Sequence, residues 1–117
     1  MQFEEQQQQG VLVVRPLEKS FDATNIQEFK EYMAARVQAG NRLIAFDLGE
    51  IEFIDSSGLG GIISVLKAVG EDGNVALFGV DENVRTLFKL TRTDRIFPIM
   101  PDVSGALNAL VKKETVE

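Results

Sequence analysis

Apolar positions follow two rhythms along this chain. After the polar start MQFEEQQQQG comes VLVVRPL, residues 11 to 17, a short β-branched run. Phe3 ahead of it predicts a hairpin with Gln6 to Gly10 near its turn and the two strands antiparallel. Beyond Asp22 the period lengthens. Ile26, Phe29, Met33 and Val37 recur at three and four residues and leave Gln27, Glu28, Lys30 and Glu31 for water, the pattern of an amphipathic helix. Thr24 followed by Gln27 reads as a capping box at its start, and Gly40 as its stop.

The alternation continues to the end of the chain. LIAFDL, residues 43 to 48, reads as a buried strand, and IEFI, residues 51 to 54, as a further strand that runs into a second helix with an apolar stripe of Leu59, Ile62, Ile63, Leu66 and Val69. Gly70 ends that helix, Asp72-Gly73 turns the chain, and residues 74 to 80 form a strand. Asp81 caps a third helix burying Val84, Leu87 and Phe88, residues 96 to 100 make a short last strand, and Asp102 or Ser104 caps a terminal helix burying Val103, Ala106, Leu107, Leu110 and Val111. Strands alternating with helices predict crossover units, hence a mostly parallel sheet with helices packed on it. One domain over residues 1–117 is expected, fraying from about residue 112 through the tail KKETVE. Phe21, Phe88 and Phe97 are read as core.

Composition narrows the chemistry. Twelve basic against eighteen acidic side chains give a net charge of -6, which repels phosphate backbones and anionic lipid, so neither nucleic acid nor a membrane is expected as a partner. No apolar run approaches the roughly 20 residues that cross a bilayer, and the start lacks a basic region before an apolar stretch; a cytoplasmic protein is expected. The chain has no cysteine and no histidine. Thiolate nucleophiles, disulfides and a Ser-His-Asp triad are thereby excluded, a zinc site would need carboxylates alone, and no metal or cofactor is expected.

Against that background FIDSSGLGG, residues 53 to 61, is the motif to explain. Asp55 or Ser56 can cap the second helix by accepting from its first amides, which stabilises by about 1 kcal/mol. Capping does not account for Gly58, Gly60 and Gly61, each of which costs up to about 1 kcal/mol relative to Ala in a helix. Either the sheet packs very close there or another molecule does. A nucleophile elbow, G-x-S-x-G, is not matched, and Lys67 lies about three turns farther along the same helix, too distant to serve as a base. A phosphate is the third possibility. Free amides and the positive end of the helix dipole accommodate the anion, while a flat glycine-rich patch that gains about two negative charges would lose a closely docked partner.

The stretch FDLGEIEFIDSSGLGGI resembles the signature of STAS domains of the anti-sigma factor antagonist type, the bacterial anti-anti-sigma factors. Similarity continues through FDATNIQEF, LFGVDENVRTLFKLTRTDRIFPI and ALNAL. The resemblance implies an α/β STAS (SpoIIAA-like) fold, a central mixed β-sheet flanked by about four α-helices. It also implies a non-catalytic regulator whose unmodified form binds an anti-sigma factor that is itself a serine/threonine kinase, freeing the sigma factor. Phosphorylation of the second serine of D-S-S-G breaks that complex, and a PP2C-type phosphatase restores it. By position the acceptor is Ser57, surrounded by Asp55, Ser56, Gly58, Leu59 and Gly60; a capping Ser56 would leave the Ser57 hydroxyl free. Asp22, Ala23, Thr24 and Asn25 resemble the family's second contact region, although Asp22 and Thr24 can also be plain caps. This chain has Lys19 and Ser20 where the family often carries glycine, so that loop is expected to differ in shape. The rival reading is a STAS module without a phosphoswitch, a structural or sensor subunit of a transporter or signalling assembly.

Overall fold

The structure, a computed structural model, describes the backbone of residues 1–115 and the side chains of residues 1–111. The fraying expected from about residue 112 falls on residues outside those fully described. Strand β1 (Phe3–Gln8) turns at Gln9 and Gly10, whose φ values of 54 and 81° make the tight hairpin that right-handed strand twist favours, and returns as β2 (Val11–Pro16). There follow β3 (Ser20–Phe21), α1 (Ile26–Gln38), β4 (Leu43–Asp47), β5 (Phe53–Ile54), α2 (Ser56–Val69), β6 (Asn74–Phe78), α3 (Glu82–Leu90), β7 (Ile99–Met100) and α4 (Val103–Thr115).

Five strands form the central sheet in the order β1-β2-β4-β6-β7, with the first pair antiparallel and every later pair parallel. The mixed sheet and its four helices are those the alternation of periods predicts. Because successive strand residues point to opposite faces, each central strand supplies two layers. Leu12, Val14, Ile44, Phe46, Val75 and Leu77 join the core with α1, α2 and α3, whereas Val11, Val13, Leu43, Ala45, Ala76 and Phe78 meet Ala106, Leu107 and Leu110 of α4 on the other face. Phe21, Phe29 and Phe46 pack in series through the larger layer, with ring centroids 4.7 and 5.3 Å apart and the planes tilted by 50° at each contact.

Several expected elements are shorter or differently built. The strand expected over residues 96 to 100 is only Ile99–Met100. Arg92, at φ 61°, leads into a 3₁₀ turn over Thr93–Arg95 that buries Thr93, seats Phe97 edge-on to Phe88 and leaves Ile96 exposed. The strand expected to reach Val80 stops at Phe78, ahead of Gly79 at φ 70°. The capping box at α1 is absent: Thr24 bonds Asp22, and Gln27 reaches Glu31. At α4 the cap is Asp102, which accepts from the Gly105 amide at 2.9 Å. Along α2, Val65 joins the buried stripe, while Ile63 and Leu66 are half-buried.

Candidate functional site

The serine motif lies at a corner built by backbone hydrogen bonds. β3 and β5 pair in parallel as a small sheet of their own, Ser20 beside Phe53 and Phe21 beside Ile54. The amides of Glu52 and Phe53 donate to the Lys19 carbonyl, and the Asp55 amide donates to the Phe21 carbonyl at 3.1 Å. Phe21, fully buried, anchors one strand and Ile54 the other. The two regions that the resemblance assigns to partner contact, 22–25 and 55–60, thus issue from adjacent ends of one ribbon.

Asp55 caps α2. Its backbone is extended, and its Oδ1 accepts from the Gly58 amide at 2.9 Å while its carbonyl takes the Leu59 amide at 3.0 Å. Of the two sequence candidates for the cap, then, it is the acid that serves. Neither Ser56 nor Ser57 is used in it, and both stand exposed on the first turn. The expectation that a capping Ser56 would single out Ser57 therefore has no support in the geometry, since both hydroxyls are equally released.

The three glycines divide. A Cβ on Gly58 would lie 2.5 Å from the Phe21 carbonyl oxygen and 2.6 Å from the Phe21 Cβ, and one on Gly61 would fall 2.4 Å from Ile26 Cγ1. Those two let β3 and α1 pack against the helix. Gly60 is exposed and has no atom within 4 Å of its absent side chain, so no internal neighbour requires it. Gly58 and Leu59, also assigned to the contact surface by the resemblance, are buried and lie beneath the exposed Ser56, Ser57 and Gly60.

Asp22 organises the other region. Its Oδ1 accepts from the Thr24 amide at 2.9 Å and from the Thr24 hydroxyl, and its Oδ2 from the Ser20 hydroxyl at 3.0 Å. Asn25 closes the turn in return, its Oδ1 accepting from the Asp22 amide and its Nδ2 donating to the Ser20 carbonyl. The Thr24 hydroxyl first, then the Thr24 amide and Ser20, hold the Asp22 carboxyl below its ordinary range. Ser20 is thus a working part of this turn. Beside the corner, Phe53 is 57% and Leu90 78% exposed, and they line a groove with Glu52, Ile54, Asn83, Thr86 and Leu87. Reasoning from period missed it, although Leu90, off the stripe of Val84, Leu87 and Phe88, was the available signal.

Lys67 sits in the last turn of α2, about 15 Å of helix rise from Ser57, which leaves the serine without that base. Among the described residues no group of histidine, cysteine or carboxylate side chains is arranged to hold a metal ion, and no helix is long and apolar enough to cross a membrane.

Comparison with protein families matches residues 2–106 to the STAS domain. The chain belongs to the STAS family. A Thermotoga maritima protein assigned to the anti-sigma factor antagonists is 30% identical over 105 residues, 88% of this chain and 92% of that one. A crystal structure of a Thermotoga maritima protein with the same assignment superposes with a TM-score of 0.86 at 29% identity, covering 93% of this STAS chain and 94% of the other. The Bacillus cell fate determinant SpoIIAA, in its phosphorylated form, shares the fold at a TM-score of 0.68 and 15% identity, with 92 and 98% of the chains covered.

Proposed function

We propose that this STAS protein is an anti-sigma factor antagonist of a partner-switching module, not an enzyme. Its unphosphorylated form binds an anti-sigma factor with serine kinase activity, and phosphorylation of Ser57 ends that binding until a PP2C-type phosphatase removes the group. The observation that carries this reading is the pair of exposed serine hydroxyls, left out of the helix cap, on a turn where Gly60 keeps the surface low. Ser57 is taken over Ser56 because it occupies the second serine of the family motif. Asp22, Thr24 and Asn25 supply the adjoining rim, and Phe53 with Leu90 supplies apolar area next to it.

A phosphate on Ser57 would share the first turn with the Asp55 carboxylate, which already takes the Gly58 amide. Its charge is therefore only partly met within the protein and is directed at whatever docks there. Like-charge and desolvation penalties of several kcal/mol weaken an interface by about two to three orders of magnitude. The test has two arms. Incubation with the kinase and ATP should add one phosphate by intact mass, absent in Ser57→Ala; and Ser57→Asp should lose the anti-sigma partner in a binding titration while Ser57→Ala retains it. A phosphate retained in Ser57→Ala moves the acceptor to Ser56, and equal binding by both variants removes the switch.

A further inference from the structure

The central sheet has two edges, and they differ in kind. β7 is two residues long, too short to template another strand, whereas β1 runs for six residues and is exposed along most of its length. Natural edges are blunted by brevity, proline, lysine, bulges or a covering element. β1 reads FEEQQQ, without proline, lysine or glycine, and pairs without a bulge, Phe3 opposite Pro16 through Gln8 opposite Val11.

The direction of its free backbone groups follows from one bond. The Leu17 amide donates to the Gln2 carbonyl, so the pair one step beyond Phe3 and Pro16 is hydrogen-bonded. Antiparallel pairs alternate, which turns the groups of Glu4, Gln6 and Gln8 toward β2 and those of Phe3, Glu5 and Gln7 outward. Pro16, which has no amide hydrogen, sits in a pair that needs none. The side chains flanking the outward groups are tied down: Phe3 stacks on Tyr32 at 3.9 Å, Glu5 pairs with Arg36 at 3.3 Å, and Gln7 donates to Asn41 at 3.0 Å. Little further ordering is needed for this edge to accept a strand.

We propose that the β1 edge is a self-association site, at which a second copy of this chain adds its own β1 antiparallel. The occupant follows from side-chain and charge complementarity. Outward residues must face outward residues, and the register that sets Glu5 opposite Gln7 of the second copy also sets Glu4 opposite Gln8, with Gln6 facing Gln6 across the two-fold axis. Every carboxylate then meets an amide that can donate to it, and no like charges stand opposed. Centring on Glu5 instead would oppose two carboxylates. The strand is therefore complementary to itself, and the joined sheet would count twice the five strands of one chain.

This site is remote in sequence from the serine corner, and its test is independent of phosphorylation. Sedimentation velocity on the full chain should show the mass moving from one to two copies as concentration rises. Gln6→Glu, which places carboxylates together at the axis, should raise the dimer dissociation constant about tenfold or more. An equimolar mixture of Gln6→Glu with Gln6→Lys should restore the dimer. Gln7→Pro, which deletes an outward amide without touching the bonds to β2, should abolish it while circular dichroism and thermal midpoint confirm the fold. A wild-type mass that stays at one chain up to the solubility limit would overturn the proposal, as would a dimer indifferent to both Gln6→Glu and Gln7→Pro.

Discussion

A methyl group added at Gly58 would sit 2.5 Å from the Phe21 carbonyl oxygen and 2.9 Å from Ile54 Cγ2, whereas one added at Gly60 would meet nothing within 4 Å. The two substitutions are expected to diverge in sign. Gly58→Ala must displace the buried ribbon and should destabilise by about 1–3 kcal/mol, the range for overpacking. Gly60→Ala relieves the entropic penalty of glycine in a helix and should stabilise by up to about 1 kcal/mol. Urea denaturation measures both. If the serine corner is where a partner docks closely, Gly60→Ala should also bind that partner less well despite its greater stability, and unchanged affinity would show that Gly60 faces no interface. In the sequence the three glycines of this turn left internal packing and an outside partner as open alternatives. Residue type could not separate them, because the nearest neighbours of Gly58 and Gly61, Phe21 of β3 and Ile26 of α1, are more than 30 positions away in the chain.

At the level of elements, legibility followed period. The helices with a clean three-four spacing and the β1–β2 hairpin appear where the pattern puts them, since a long amphipathic face has only one way to be buried. Short elements did not obey propensity. IEFI keeps strand structure only at Phe53–Ile54, because Ile51 folds back to the Leu48 carbonyl and only two residues find β3 as a partner. The caps at α1 and α2 were ambiguous for a related reason: aspartate, serine and threonine all accept from a first-turn amide, and in the fold Asp55 takes that place at α2, whereas Asp22 and Thr24 bond each other ahead of α1 and no side chain caps it. The union of α1 with the hairpin has a spectroscopic signature. Burial, and then the nearby Glu5 carboxylate, push the Tyr32 hydroxyl up to about 12, against a slight opposing pull from Arg36. Tyr32 is the only tyrosine and there is no tryptophan, so phenolate absorbance reports it alone. The titration midpoint should lie well above the ordinary value of 10.0 in the folded protein. Because the folded state favours the neutral phenol, the associated stability is present below pH 10 and is lost as pH rises toward 12.

For the molecule as a whole, the chain carries a net charge of -6 before any modification, and a phosphate adds roughly two more negative charges. The fold has little reason to respond. The core passes through Phe21, Phe29 and Phe46, none of which is exposed, and the corner that bears the serines is fixed to it by the β3–β5 ribbon. Amide chemical shifts should accordingly change on phosphorylation only within the first turn of α2 and the 22–25 turn. Changes spread through β4 and β6 would instead indicate a conformational switch. The ribbon between β3 and β5 would confine the effect of the proposed phosphate, for it joins both halves of the corner into one plate. A phosphate placed on such a plate, as proposed for Ser57, would be carried as ink and not as shape: a mass spectrometer would tell the modified chain from the unmodified one at once, and a scattering curve would not distinguish them.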